Sequence, residues 1–551
     1  MTQYLNTPTL DRADELADRS AHLDSAHVGD IRGALGTIRQ HDHAPRRTWR
    51  ARLLTLLAIM GPGLIVMVGD NDAGGIATYT QAGQNYGASL LWTLLLLIPV
   101  LIVNQEMVVR LGLVTGVGHA RLIIERFGRF WGAFSVGDLF ILNFLTIVTE
   151  FIGVSLAFSY FGVSPYLSVP IAALLLIAIT ITGSFRRWER FMYICVAVNF
   201  VAIPLAFITH PQIGAIVHDS LVPSVKGGLN STAMLLITGI VGTTVAPWQF
   251  FFQQSNVIDK RLTPRWMAYE RADTVIGAFV VIIGAAALMI AAAFAFGGTT
   301  YAGTFTDVLG VAQGMRHMFG PTAGTLVAIV ELNAAIIGAA AVTLSTSYAF
   351  GDVFKIKHSL HRSWRDARGF YAIFSLLVLG AASIVIIPNA PLGLMTLAVQ
   401  ALAGILLPSA TVFLLLLCND QDVLGPWVNQ TWLNVVAGVI VGTLVMLSLI
   451  LAATTLFPSW DVTRMVEILG AILLLSLTLV GVVQMRRRRG AAVPTSSTDR
   501  MAWRMPPLEE LPRPVWSATR TVGMITLRGY LVVAALLMVV KVVQLAVNGH
   551  A

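Results

Sequence analysis

Charged residues are scarce in this chain of 551 residues, since only 12% of them are Asp, Glu, Lys or Arg. A soluble domain carries about 25%, so the composition excludes an ordinary soluble protein. Hydrophobic residues make up 56% of the chain, and the mean hydropathy is +0.74. They recur in runs of about 20, the length of a helix that crosses the bilayer. These observations predict a polytopic membrane protein.

Cysteine is also scarce, and the chain contains only Cys195 and Cys418. This pair excludes a disulfide-rich scaffold. Both residues lie in apolar helical sequence, where we interpret them as packing groups. The sequence also shows no catalytic pattern: no nucleophile triad, Cys/His zinc spacing or phosphate-binding loop stands out. We therefore predict neither an enzyme nor a resident cofactor.

The first 50 residues lack an apolar core and contain DRADELADRSAHLD. A cleavable signal sequence needs such a core, so we interpret this segment as a cytosolic, partly disordered tail. The net charge of +8 does not indicate a nucleic-acid partner, because most basic residues fall in alternate loops. The expected partners are the lipid bilayer and a small ion, without an obligate protein partner.

The apolar runs predict an all-α polytopic fold with about 12–13 transmembrane helices. They lie near residues 53–86, 88–109, 130–161, 165–183, 191–209, 229–256, 273–297, 323–351, 370–388, 392–418, 432–456, 465–485 and 529–548. The last run carries Lys541 and either crosses the membrane or lies against the bundle. The expected organisation is a tail at 1–50, a ten-helix core at 51–420, two additional transmembrane helices at 430–486, a basic cytosolic linker at 487–528 and a C-terminal hydrophobic helix at 529–548.

The charge bias of the loops predicts the orientation, because cytosolic loops carry an excess of Lys and Arg. One set of alternate loops holds only Lys226, Arg316 and Arg464. The other set holds Arg110, Arg121, Arg126, Arg129, Arg186, Arg187, Arg190, Lys260, Arg261, Arg265, Arg271, Lys355, Lys357, Arg362, Arg365 and Arg368. The N-terminus is therefore expected in the cytoplasm, with the protein in the cell membrane.

Two apolar runs contain helix breakers in mid-span. The first is interrupted by GDNDAGG at residues 69–75, and the sixth contains Pro247. In lipid, an unwound backbone persists only around a cavity or a bound ion. Breaks in the first and sixth spans are typical of transporters built from two inverted five-helix repeats. We place these LeuT-like repeats at about 51–210 and 228–420.

The broken spans are rich in oxygen donors. They offer the carboxylates of Asp70 and Asp72, the amides of Asn71 and Gln249, threonine hydroxyls and unwound carbonyls. Such ligands suit Mg²⁺, Ca²⁺ or Mn²⁺. Two less specific interpretations stay open, because an aspartate can simply cap a helix and an amide can join two helices.

The combined pattern resembles the NRAMP family of divalent-metal transporters. GPGLIVMVGDNDAGGIATYTQAG (61–83) is similar to the family's first helix, QEMVVRLGLVTG (105–116) to its second and NAAIIGAAAVTLSTSYAFGDVF (333–354) to its eighth. The resemblance implies a divalent-metal site. The implied site residues are Asp72, the Thr243 carbonyl, Ala246 at the position of the family's methionine ligand, Gln249 and Gln400.

Three departures from the family pattern predict a preference for Mg²⁺, with Mn²⁺ also carried. Ala246 replaces the thioether that favours softer ions. Gly75 replaces an asparagine ligand and leaves space for water, while Asp70 adds a carboxylate. Mg²⁺ prefers oxygen and retains several waters. The chain is therefore most similar in character to the magnesium-transporting branch related to NRAMP.

Proton coupling is not expected, because Ile147 and Trp248 occupy the family's proton-accepting aspartate and histidine positions. Glu150 remains as an alternative proton carrier, and we interpret Glu331 as part of a structural polar network. The alternatives are a proton-coupled Mn²⁺/Fe²⁺ symporter of the ordinary NRAMP type and an amino-acid carrier of the same fold.

Overall fold

The computed structural model describes residues 23–42, 44–388, 390–456, 460–487 and 503–512, with residue 500 and isolated positions between 524 and 532. A short strand pair precedes the helices, with β1 at Ile31–Arg32 and β2 at Thr37–Ile38. The helices are α1 (Trp49–Ile59), α2 (Pro62–Val68), α3 (Ala73–Tyr86), α4 (Leu91–Thr115), α5 (His119–Phe127), α6 (Arg129–Tyr160), α7 (Pro165–Thr180), α8 (Phe185–Asn199), α9 (Ala202–Ile208), α10 (Ile213–Leu221), α11 (Ser231–Thr244), α12 (Pro247–Asp259), α13 (Met267–Phe296), α14 (Val308–Phe319), α15 (Pro321–Phe354), α16 (Arg368–Val385), α17 (Leu392–Cys418), α18 (Gln421–Leu424), α19 (Thr431–Leu456) and α20 (Val462–Arg487).

The all-α polytopic fold is confirmed. Ten helices in the described part of the chain are long and apolar enough to cross a membrane, or eleven if α1 and α2 count as one span. The number is below the expected 12–13 partly because α7 is apolar but short. The predicted span at 529–548, including Lys541, lies outside the continuously described residues.

The first span is interrupted at two places. The expected break separates α2 from α3 at residues 69–72. A second break bends α1 against α2 by 55°. At this bend Gly61 has φ 147°, a conformation that favours glycine, and Pro62 begins α2. This second break was not predicted from the sequence, although the Gly-Pro pair is a turn signal.

The sixth span is broken where the sequence predicted. α11 ends at Thr244, and α12 begins at Pro247 after an extended Ala246. Proline lacks the N–H that would continue the helical hydrogen bonds. The two broken spans pack within one bundle, in which α13 lines α2 and α3 while α15 lies against α6 and α12.

Buried charges anchor the N-terminal end of α2. Lys260 Nζ lies 2.5 Å from Glu189 Oε1 and donates to the Met60 carbonyl at 2.7 Å. The Asp273 carboxylate accepts hydrogen bonds from the Gly61 and Gly63 N–H groups at 2.9 and 2.7 Å. We call Glu189, Lys260 and Asp273 the anchor cluster. It holds α2 against α8, α12 and α13.

Residues 24–38 form a strap across the same face of the bundle. β1 and β2 pair antiparallel, with Ile31 opposite Ile38, and both isoleucines are buried. Hydrogen bonds join Arg261 to the Ala26 carbonyl at 2.9 Å and Arg362 to Asp24 at 2.9 Å. This part of the predicted tail is therefore ordered and packed against the helices.

The charge of Asp24 contributes to this docking. Burial raises the pKa of the Asp24 carboxyl, but hydrogen bonds from Arg362 and the Ala26 N–H hold the pKa below its usual value. The carboxylate is therefore ionised where it meets the guanidinium. Hydrogen bonds to charged groups are stronger than neutral ones.

Candidate metal site

Asp72 lies at the start of α3, where the first span resumes. Its backbone is extended, and its Oδ1 accepts a hydrogen bond from the Gly75 N–H at 2.6 Å. The side chain thus caps the helix, as the simpler interpretation of the sequence proposed. The residue is only 2% exposed. A capping carboxylate keeps further lone pairs for another ligand.

Three oxygen atoms converge beside Gly75. A Cβ added to this glycine would lie 2.7 Å from the Asp70 carbonyl oxygen, 3.2 Å from Thr243 Oγ1 and 3.3 Å from Asp72 Oδ1. The structure therefore brings Thr243 to the site through its hydroxyl. Its carbonyl lacks the usual partner, because the residue four positions later is Pro247, which has no N–H.

The Asp70 side chain is fully buried beside this cluster. Neither carboxylate oxygen has a hydrogen-bond partner among the described residues, and the charge lies close enough to Asp72 to repel it. Buried carboxylates are normally paired or bound to a metal. Asp70 is consequently the strongest local indication of a cation-binding site.

Asn71 points toward a different neighbour. Its Nδ2 donates to the Val281 carbonyl of α13 at 3.0 Å, and the amide contacts Gly284. The contact fixes the break against α13. Of the three consecutive polar residues, Asp72 therefore contributes its carboxylate to the converging oxygens and Asp70 its main-chain carbonyl.

Gln249 is held by other protein groups. Its Oε1 accepts from Gln105 Nε2 at 2.7 Å, and its Nε2 donates to the Thr244 carbonyl at 3.2 Å. Gln105 was not predicted as a site residue, although an amide in the apolar sequence of α4 could have indicated it. In this structure, Gln249 stabilises the break of the sixth span.

Gln400 reaches the site from α17. Its amide lies against Gly74, where the side chain of any larger residue would collide with it. Its Nε2 has no hydrogen-bond partner among the described residues. Gly242 lets α17 approach, since a Cβ there would lie 2.6 Å from the Gln400 carbonyl. The structure thus brings Gln400 to the break.

Ala246 lies at the break itself. It precedes α12 in an extended conformation, and its carbonyl accepts a hydrogen bond from the Gln249 N–H at 3.2 Å. Its methyl side chain offers no ligand atom. The part of the chain that the structure describes also contains no group of three or more His, Cys, Asp or Glu residues arranged to hold a metal.

Glu150 adjoins the site from α6. Its Oε2 accepts a hydrogen bond from the Ala73 N–H at 3.1 Å. A Cβ on Gly338 of α15 would lie 2.5 Å from this oxygen and 2.9 Å from the Asp72 Cβ. The missing side chain at Gly338 therefore leaves room for both acidic residues.

We expect Gly338→Ala to displace Glu150 and Asp72 and to reduce transport by about tenfold, because overpacking costs about 1–3 kcal/mol. Initial metal influx into liposomes measures the effect. Gly438→Ala is the matched control, since a Cβ there would meet no atom within 4 Å. Equal activity of both variants would contradict the packing argument.

The two interrupted spans and the buried oxygens between them define a polytopic membrane carrier of the broken-helix class. The chain belongs to the Nramp family: residues 63–454 match the family described as natural resistance-associated macrophage protein-like.

Relatives of the chain include two bacterial proteins named divalent metal cation transporter. MntH of Latilactobacillus sakei is 27% identical over 73% of this chain and 90% of its own length. MntH 1 of Pseudomonas aeruginosa is 28% identical over 70% of this chain and 89% of its own length. The crystal structure of the Eremococcus coleocola manganese transporter has the same fold, with a TM-score of 0.61, 21% identity, and coverage of 81% of this chain and 97% of that one.

Proposed function

We propose that this protein carries Mg²⁺, and also Mn²⁺, across the cell membrane by alternating access. The supporting observation is the buried Asp70 carboxylate beside Asp72, with neither Asp70 oxygen hydrogen-bonded among the described residues. A lone charge at membrane depth costs at least about 3 kcal/mol. A transported divalent cation would compensate both carboxylates.

The preference for Mg²⁺ rests on the type of donor. Asp70, Asp72, Thr243 and Gln400 offer oxygen, and Ala246 supplies no thioether. A site without sulfur lacks the soft ligand that favours Mn²⁺, Fe²⁺ or Cd²⁺. The open space expected at Gly75 is not present, because a Cβ there would already lie 2.7 Å from the Asp70 carbonyl oxygen. The preference for Mg²⁺ therefore rests on the donor type alone.

The ordinary proton-coupled Mn²⁺/Fe²⁺ symporter is the second candidate. The contact of Glu150 with the Ala73 N–H next to Asp72 favours it, because a carboxyl group can carry a proton. The relatives' printed name, divalent metal cation transporter, fits either candidate. An amino-acid carrier of the same fold is less consistent with the site, because Asp70 and Asp72 would repel a substrate carboxylate.

Uncoupled transport is favoured by Ile147 and Trp248, which cannot exchange protons. The inside-negative potential would then drive uptake and supplies about 4.6 kcal/mol for two charges per 100 mV. This direction assumes the orientation indicated by the loop charges, with the strap on the cytoplasmic face. The proposed partners are the cation and the bilayer alone, and no enzymatic step is involved.

The proposal is tested with purified protein in liposomes that contain a Mg²⁺ indicator and a pH dye. We expect Mg²⁺ entry that increases with an inside-negative potential and leaves the internal pH unchanged. Mn²⁺ entry with acidification, and no Mg²⁺ entry, would establish the symporter instead. Protein-free liposomes and the Asp72→Asn variant control for leakage.

We expect Ala246→Met to shift the preference toward Mn²⁺ by about tenfold, because it restores a soft thioether at the break. Competition of Mn²⁺ against Mg²⁺ influx measures the ratio. Ala246→Leu is the control, since leucine adds similar bulk without sulfur. If both variants change the ratio equally, volume rather than ligand softness determines the preference.

A further inference from the structure

A second group of acidic residues lies between the candidate metal site and the face opposite the strap. A water-sized cavity is enclosed there by α3, α6, α15, α17 and the segment that begins α14. Its lining includes Ala73, Asp307, Glu331 and Thr396. Because Ala73 directly follows Asp72, the cavity adjoins the site.

Glu331 is the buried member of this group. The residue is 2% exposed, and its Oε2 has no hydrogen-bond partner among the described residues. Its Oε1 is packed against α6, where a Cβ on Gly153 would lie 2.8 Å away. A buried carboxylate oxygen without a donor is unfavourable unless it binds a cation or a proton.

Asp307 lies at the outer end of the cavity. It caps α14, and its Oδ1 accepts a hydrogen bond from the Gly310 N–H at 2.8 Å. The residue is half-buried. The charge of Glu331 interacts with those of both Asp307 and Asp72. The acidic groups therefore form a line from the surface loop to the metal site.

We infer that Glu331 and Asp307 form a second divalent-cation subsite, which takes up the ion before it reaches Asp72. The subsite rests on the proposed function for its place in transport, but its binding of a cation can be tested separately. A water-sized cavity holds one water or one ion of similar size, so a bound ion must exchange hydration waters for the carboxylate oxygens of Glu331 and Asp307. The neighbouring negative charges raise the local concentration of cations.

Transport kinetics test the subsite first. We expect Glu331→Gln to raise the KM for Mg²⁺ by about tenfold, with a smaller fall in maximal rate, because one attractive charge is lost. Asp307→Asn should raise the KM by a smaller factor, since asparagine can still cap α14. Asp461→Asn is the control. Asp461 also caps the start of a helix, α20, but its side chain is exposed and lies away from the cavity.

A lower maximal rate at unchanged KM would assign Glu331 a structural role and overturn the inference, while the proposed function would stand. Mn²⁺ binding, measured by electron paramagnetic resonance, gives an independent test in the Asp72→Ala background. We expect a weak site that Glu331→Gln abolishes and Asp461→Asn preserves. If Glu331→Gln does not alter this binding, the subsite does not exist. If the binding changes as expected but the wild-type protein transports neither metal, only the proposed function fails.

Discussion

Asp72→Asn is expected to reduce Mg²⁺ influx by at least about 100-fold, because it removes one of two buried carboxylates that would compensate the ion. The substitution tests ligation rather than folding. Asparagine retains a side-chain oxygen for the Gly75 N–H, so the start of α3 should remain intact. Initial influx into liposomes and the melting temperature of the purified variant are measured together.

The comparison with Asp72→Ala separates the two roles of this residue. Alanine removes both the charge and the cap, and loss of a cap costs about 1 kcal/mol. If the carboxylate binds the ion, both variants are inactive and only the alanine variant loses stability. Near-normal influx in Asp72→Asn would show that Asp72 acts as a cap alone, which would refute the proposed site.

Lys260→Met is expected to lower the free energy of unfolding by about 3–5 kcal/mol, because breaking a buried ion pair leaves an uncompensated charge. Glu189 would lose its partner 2.5 Å away, and the Met60 carbonyl would lose its donor. The buried Glu270 carboxylate, whose charge interacts with that of Glu189, would then repel Glu189. Thermal or denaturant unfolding in detergent measures the change.

Lys226→Met provides the matched control, since Lys226 is exposed on the opposite face and its replacement should change stability by less than about 0.5 kcal/mol. The double variant Glu189→Gln/Lys260→Met should recover part of the loss, because no unpaired charge remains within the pair. If Lys260→Met is as stable as the control, the anchor cluster does not stabilise α2.

The breaks at residues 69–75 and at Pro247 were predictable because their causes are local. Glycine and proline disturb a helix through their own backbone chemistry, whatever surrounds them. The apolar runs were predictable for the same reason, since span length follows from bilayer thickness. Even so, the bend at Gly61 was not predicted, because residues 53–68 form one continuous apolar segment.

The arrangement of side chains at the site depended on long-range contacts. Asp70, Asn71 and Asp72 are adjacent in sequence, and only the packing of α13 shows that Asn71 turns toward Val281. The hydrogen bond from Gln105 to Gln249 links residues 144 positions apart. Local periodicity contains no information about such partners. The sequence could therefore identify Gln249 as a candidate site residue but not its hydrogen-bond partners.

The docking of the strap has a consequence for the order of assembly during synthesis. Asp24 is hydrogen-bonded to Arg362, which follows it by 338 residues. At about 5–20 residues per second, the ribosome needs roughly 20–70 s to add this length of chain. Contacts of the strap with Arg261 can form earlier, but Asp24 must wait for its Arg362 partner until most of the helices have been synthesised, so this end of the strap docks late.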